Sequence, residues 1–329
     1  VGDANLKNAV TDAASAVLIE SDTDYVTNHF DGAQSFHYGT KWAGVYGNNI
    51  SVHVVDHGYD FDVTVDAAVT AVAGTTVYQS NGVTGKLFGA ASASPTLTVF
   101  ESNGNLVAGA ANLLLQQTGA ASTALNGAVA AGDATITVAS ATGIATGDYL
   151  IINNAEIVKV TDTASAPSLT VDRGQFGTTA AAGSDADSVI ELSAVGISSA
   201  TKWWDTVQID DTDINWNTLV SRPGTSAFAS NYGSKYDEVS IVVLDSTGLI
   251  TGTKNTVLEK FQNLSKSAES QTAEGADNYY ANILRFASNY LWWGKHDATN
   301  TTGSYGGYTT AVWGSGITTG TNYTMLGYQ

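Results

Sequence analysis

Five histidines and 31 carboxylate side chains make metal or acid–base chemistry the first possibility to weigh. His53 and His57 are four residues apart, but they lie in an alternating apolar run. On a strand that spacing separates them by ~13 Å, more than one zinc ion can bridge. Neither His29 nor His37 completes a recognised motif with them. Asp210-Asp211-Thr212-Asp213-Ile214-Asn215 begins like a calcium loop. Counted from Asp211, however, Trp216 stands where glycine is required and Arg222 where glutamate is required, so a solvated acidic turn is the expectation. The chain has no cysteine and no G-x-S-x-G elbow, which removes thiol and nucleophile-elbow chemistry. Carboxylate pairs for glycoside cleavage meet only in the fold, and no pair stands out. Gly44, Gly47 and Asn48 permit tight turns in Lys41–Asn49, yet no G-x-x-x-x-G-K-[ST] and no strand-then-helix G-x-G-x-x-G is present. The expectation is a non-enzyme with no catalytic residue, cofactor or metal.

Composition narrows the class. Lys+Arg of 13 against Asp+Glu of 31 gives a formal net charge of −18, a surface that repels nucleic-acid phosphates and anionic lipid. Such acidity serves solubility or complements a more basic partner. No window supplies the ~20 apolar residues of a membrane-spanning helix, and no signal peptide is visible. Direct nucleic-acid binding and membrane insertion are therefore not expected. At 329 residues there is room for two or three domains.

The elements that must carry any function follow from periodicity. Asp3–Glu20 places Leu6, Ala9, Val10, Ala13, Ala14, Val17 and Leu18 on one stripe and predicts a helix capped by Asp3. Ser21–Gly39 reads as loop, and Ile50–Asp56 as a strand. From Gly58 to about Val195 short β-like runs recur between turn signals such as Asn81-Gly82 and Asn103-Gly104, the pattern of sandwiches and small barrels. The exception is Ala110–Gln117, which predicts one or two helical turns. Arg173 in the tight turn Arg173-Gly174-Gln175-Phe176-Gly177 is expected to pair with a nearby carboxylate. Trp203, Trp204 and Trp216 either anchor a junction by burial or form an exposed sugar-stacking shelf.

The stretch Arg222–Gly294 is the most structured. Arg222-Pro223-Gly224-Thr225-Ser226 is a turn into a short helix that Thr225 or Ser226 can cap and Gly233 can end. Tyr236–Asp245, too apolar at its end for a surface strand, predicts a buried central strand ending in the turn Asp245-Ser246-Thr247-Gly248. Thr256–Ser265 sets Val257, Glu259 and Phe261 against Leu258, Lys260 and Gln262, a strand with one wet face. Asp277–Ala287, containing Tyr279 and Tyr280, predicts a helix, and Tyr290–Gly294 an aromatic strand. Lys295–Gln329 is rich in Thr, Gly, Ser and Asn and reads as a flexible segment.

This succession resembles the contractile tail sheath proteins of bacteriophages. The resemblance lies in the RPGTS turn, YDEVSIVVLDSTG, VLEKFQNLSKSAES, DNYYANIL with its aromatic strand, and the earlier KWAGVYGNN. The matching positions are Trp42, Gly44, Gly47, Asn48, Arg222, Pro223, Gly224, Thr225, Ser226, Tyr236, Asp237, Glu238, Glu259, Phe261, Ser265, Tyr279 and Tyr280. It implies a β-rich α+β multidomain fold: a discontinuous α/β sheet scaffold (residues 1–57 plus 196–300) with inserted sandwich- or barrel-like domains (58–127 and 128–195) and a flexible 301–329. It further implies a virion component, assembled in the host cytoplasm into stacked hexameric rings of copies of itself. These rings surround a tail tube, meet a baseplate, and contract to drive the tube through the host envelope. Family members are generally longer, so the chain is expected to be a piece of one and monomeric or weakly associating alone. An extracellular adhesin or glycan-binding protein is the alternative.

Overall fold

The computed structural model describes residues 4–6, 17–19, 21–31, 34, 38–42, 45–209, 212–294, 304–305 and 308–309. The fold is β-rich α+β and multidomain. Two compact units divide the chain, one drawn mainly from Val1–Gly58 and Trp204–Ser304, the other from Tyr59–Trp203.

In the first unit, β4 (Ile50–Asp56), β16 (Glu238–Asp245) and β17 (Thr256–Ser265) form an antiparallel sheet with β16 in the middle. Every residue from Val239 to Asp245 is buried, the polar Ser240 and Asp245 included, as a central strand covered on both faces demands. Val239, Ile241 and Val243 meet Val54 of β4 and one face of helix α4 (Tyr280–Ala287), where Tyr280, Ala281 and Leu284 lie. The helix starts three residues later than its periodicity suggested, because Tyr279 stands in extended backbone as its N-cap and Asp277 folds the residues before it into a turn. The Asp277 carboxylate accepts from the Tyr279 N–H at 2.8 Å and from Asn282 Nδ2 at 2.6 Å. The aromatic strand β18 (Leu291–Trp293) pairs with β3 (Tyr38–Thr40) and completes the core. Ser226 caps α3 (Ala227–Asn231) by accepting from the Ala229 N–H, and Gly233 closes it at φ +68°.

Four local expectations are corrected here. The helix over Asp3–Glu20 is replaced at both ends by strands, β1 (Ala4–Leu6) and β2 (Val17–Ile19), paired antiparallel with Ala4 opposite Ile19. The apolar spacing fits a helix, but Val17-Leu18-Ile19 also fits a strand, and a partner strand settles the choice; residues 7–16 lie outside the described residues. Ser21–Gly39 is not all loop: α1 (Asp22–Asp24) runs into a π-helical turn at Tyr25–His29, capped by Ser21, and β3 begins at Tyr38. Along β17 the strict alternation fails, with Leu258 and Phe261 both packing on the core. Register shifts opposite Val239/Ile241 and Val243/Leu244 change the phase of the strand. In the C-terminal segment β19 (Ser304–Tyr305) and β20 (Tyr308–Thr309) form a two-stranded sheet, and the rest lies outside the described residues.

The second unit is all strand. β5 (Phe61–Ala71), β6 (Thr76–Gln79), β7 (Thr84–Leu87), β8 (Ala91–Phe100), β9 (Gly109–Leu115) and β15 (Ser188–Lys202) close into a six-stranded barrel, because β15 pairs with both β5 and β9. Phe61, Val63, Val65, Val77, Leu97, Val99, Leu113 and Leu115 fill it. The helical turns expected over Ala110–Gln117 are therefore replaced by strand as far as Leu115, with Gln116 and Gln117 beyond its end. Its Ala and Leu residues favour helix locally, but alternation sends Leu113 and Leu115 inward and Leu114 outward into a second core. All three leucines are fully buried.

A second lobe of this unit contains β10 (Ser122–Ala124), β11 (Thr135–Thr137), β12 (Tyr149–Ile152), β13 (Glu156–Asp162) and β14 (Ser168–Gln175). The first half of β15 pairs with β12 and β10, and its second half with the barrel, so one strand runs through both lobes. Leu114, Ile151, Ile157 and Leu192 pack between them.

Arg173 has the carboxylate partner expected of it. Its Nε and Nη2 donate to Glu156 at 2.7 and 2.6 Å, and Nη1 donates to the Ala130 and Asp133 carbonyls. Burial alone would raise the Glu156 carboxyl. The Arg173 bonds and the N–H groups of Ala181 and Gly174 outweigh burial and hold it below its ordinary value. The pair is therefore at full strength above the ordinary glutamate pKa and is lost as pH falls through the lower folded value. Glu156→Gln is expected to cost about 3 kcal/mol at neutral pH. Urea unfolding at neutral and acid pH checks this: the gap between wild type and variant should narrow below pH ~4.

Candidate functional site

The residues that carry the family resemblance gather at two places in the first unit, and the larger is a buried polar hub beneath Arg222–Ser226. Proline fixes the turn at Pro223, which is buried, and Gly224 donates its N–H to Glu238 Oε2 at 2.8 Å. Asp237, fully buried, accepts from the Ser226 N–H and hydroxyl, both at 2.7 Å, and from the Ser265 hydroxyl. Its own carbonyl accepts from the Lys266 N–H at 2.8 Å. Thr225 Oγ1 accepts from the Tyr236 N–H, which holds Tyr236 at φ +61°, and the Tyr236 ring lies 4.0 Å from that of His57. Arg222 Nε and Nη2 both donate to the His57 carbonyl, at 3.1 and 2.9 Å. Thus Arg222, Pro223, Gly224, Thr225, Ser226, Tyr236, Asp237, Glu238 and Ser265 are one assembly.

Two charged members of the hub are not among the residues singled out from sequence. Asp56, the last residue of β4, is 2% exposed, and Lys266, just after β17, is 0% exposed. Their Oδ2 and Nζ atoms are 3.7 Å apart. Burial pushes the Asp56 carboxyl up to about 7, against the pull of Lys266, and the same burial lowers the Lys266 ammonium. The only sequence hints are a lysine inside the serine-rich Leu264-Ser265-Lys266-Ser267 and an aspartate closing an apolar run.

The second gathering is around the turn between α4 and β18. Glu259 accepts from the Ser288 hydroxyl at 2.6 Å and from the Asn289 N–H at 2.7 Å. Trp42 donates its indole N–H to the Asn289 carbonyl at 3.2 Å and stacks on Tyr290 at 5.2 Å. Lys41 donates to the Ser288 carbonyl at 2.7 Å, placing a cation at the C-terminus of α4. Gly47 is required, since a Cβ would collide with the Trp42 carbonyl oxygen and Thr40 Cγ2. Trp42, Val45, Tyr46 and Phe286 are exposed. Phe261, Tyr279 and Tyr280 belong to the core, where the Tyr280 hydroxyl accepts from Trp293 Nε1 at 2.9 Å. Asn48 is exposed and joins neither group, and Gly44 lies outside the described residues.

Neither a scan of family models nor a search of curated proteins finds a match to this chain.

Among the described residues no three His, Asp or Glu side chains are grouped as a metal would require. His53 pairs instead with Ser51, at 3.0 Å. Asp210 and Asp211 of the calcium-like stretch lie outside the described residues. Trp216 is buried, while Trp203 and Trp204 are half-buried, Trp203 lying 5.3 Å from the Tyr59 ring. No helix of the described residues is long and apolar enough to cross a membrane.

The hub depends on Asp237, whose removal strands the Ser226 and Ser265 donors in a buried site. Asp237→Ala is expected to lower stability by about 3–5 kcal/mol. Denaturant unfolding followed by tryptophan fluorescence measures it, and a loss below about 1 kcal/mol would contradict the hub's structural role.

Proposed function

We propose that this protein is a structural subunit of a bacteriophage contractile tail sheath. It would form hexameric rings with copies of itself, stacked around a tail tube and joined to a baseplate, and it would act by assembly and contraction rather than by catalysis. Its place would be the virion, after assembly in the host cytoplasm. One observation carries the reading. Segments of the resemblance from both sides of a long β-rich stretch, 41–42 and 45–49 before it and 222–226, 236–248, 257–270, 277–284 and 290–294 after it, fall in one compact unit, most of them around the buried hub, the core and the turn between α4 and β18.

Further support comes from the surface. Trp42, Tyr46 and Phe286 expose aromatic area on the same unit, as a subunit that meets other copies needs. A charge of −18 disfavours direct contact with packaged nucleic acid. The adhesin alternative called for a solvent-facing shelf of Trp203, Trp204 and Trp216, whereas Trp216 is buried and the other two are half-buried.

Immunogold electron microscopy of contractile-tailed particles from the source of the sequence tests the proposal, using antibody raised against the purified chain. Label repeating along the outer wall of the tail is expected. Label confined to the capsid, fibres or host surface would overturn it.

A further inference from the structure

We propose that Lys266 and Asp56 form an autocatalytic isopeptide bond that staples the two chain segments of the first unit together. The geometry is that of a reacting pair held in place. Asp56 pairs with Val239 at the end of β4, and Glu238 pairs with Ser265 across β16, so the Lys266 side chain crosses the start of β16 to reach Asp56. Asp56 Oδ1 accepts from the Gly58 N–H at 3.2 Å. Its Oδ2 faces Lys266 Nζ at 3.7 Å, too far for a hydrogen bond and with no other hydrogen-bond donor among the described residues. Both side chains are sealed from water.

A buried ion pair is expensive, and the chemistry offers a way to remove both charges. Burial favours the carboxylic acid at Asp56 and the free amine at Lys266, the two forms that react. Arg222 faces Asp56, while Asp237 and Glu238 face Lys266 and supply the remaining charge around the pair. The amine nitrogen attacks the Asp56 carboxyl carbon, and a C–N bond forms as the C–OH bond breaks. The leaving hydroxyl takes one amine proton and departs as water, leaving a neutral secondary amide. No oxidant or cofactor is needed, and fixed proximity replaces activation of the acid. In a chain without cysteine, this bond would do what a disulfide does elsewhere, closing the long loop between residues 56 and 266.

The test is intact mass spectrometry and a tryptic map of the purified full chain. The expected mass is one water below that of the sequence. The expected map joins peptide 42–86 to peptide 261–285, left uncleaved at Lys266. A full sequence mass, with cleavage after Lys266 and a separate 42–86 peptide, would overturn the proposal. Asp56→Ala and Lys266→Met should each restore the full mass of the variant; a missing water that persisted in either would place the dehydration elsewhere and overturn it too.

Discussion

A strand buried along its length must be hydrogen-bonded on both edges, and this requirement on β16 organises the protein. Its apolar run Val239–Leu244 has no face to give to water, and its backbone groups have none either. β17 follows soon after in the chain and covers one edge. The other edge is covered by β4, which the chain left far earlier; the Arg222 guanidinium and His57 carbonyl that meet nearby are 165 positions apart.

Closing so long a loop in a flexible chain costs about 4–5 kcal/mol. The second unit lessens that burden because its own fold brings its ends together. Phe61 at the start of β5 pairs with Lys202 at the end of β15, and the Trp203 N–H donates to the Asp60 carbonyl at 3.0 Å. Once the barrel closes, the chain leaves it close to where it entered, and β4 and β16 behave as near neighbours in sequence. The barrel depends in turn on β15 pairing with both β5 and β9, and the second lobe depends on the same strand. A single long strand thus completes both lobes.

Much of this was legible in the sequence where local pattern and tertiary need agree. The turn at Pro223-Gly224, the cap at Ser226, the strand Val239–Leu244 and the helix ending at Ala287 each carry chemistry that admits one conformation. The short runs between Asp62 and Val171 also carry alternation strong enough to be read as strands. Ala110–Gln117 was misread because its residue types favour helix, while its conformation is set by β6 and β15 on either side. The closure of the barrel was not legible, since it depends on which strands meet rather than on what each strand is. The hub was half legible: Arg222 and Ser226 stand out through turn chemistry, and Asp237 through the resemblance alone. Asp56 and Lys266 do not, because a single aspartate or lysine looks like surface until its burial is known.

Native-state hydrogen exchange of the full chain addresses the central claim most directly. If β16 is held by chain from both sides of the β-rich stretch, amides in 50–56, 238–245 and 256–265 should open together, with one free energy and one dependence on denaturant. Exchange of 50–56 at a clearly lower free energy, with 238–245 still protected, would show that β4 is not part of that body and would contradict the account.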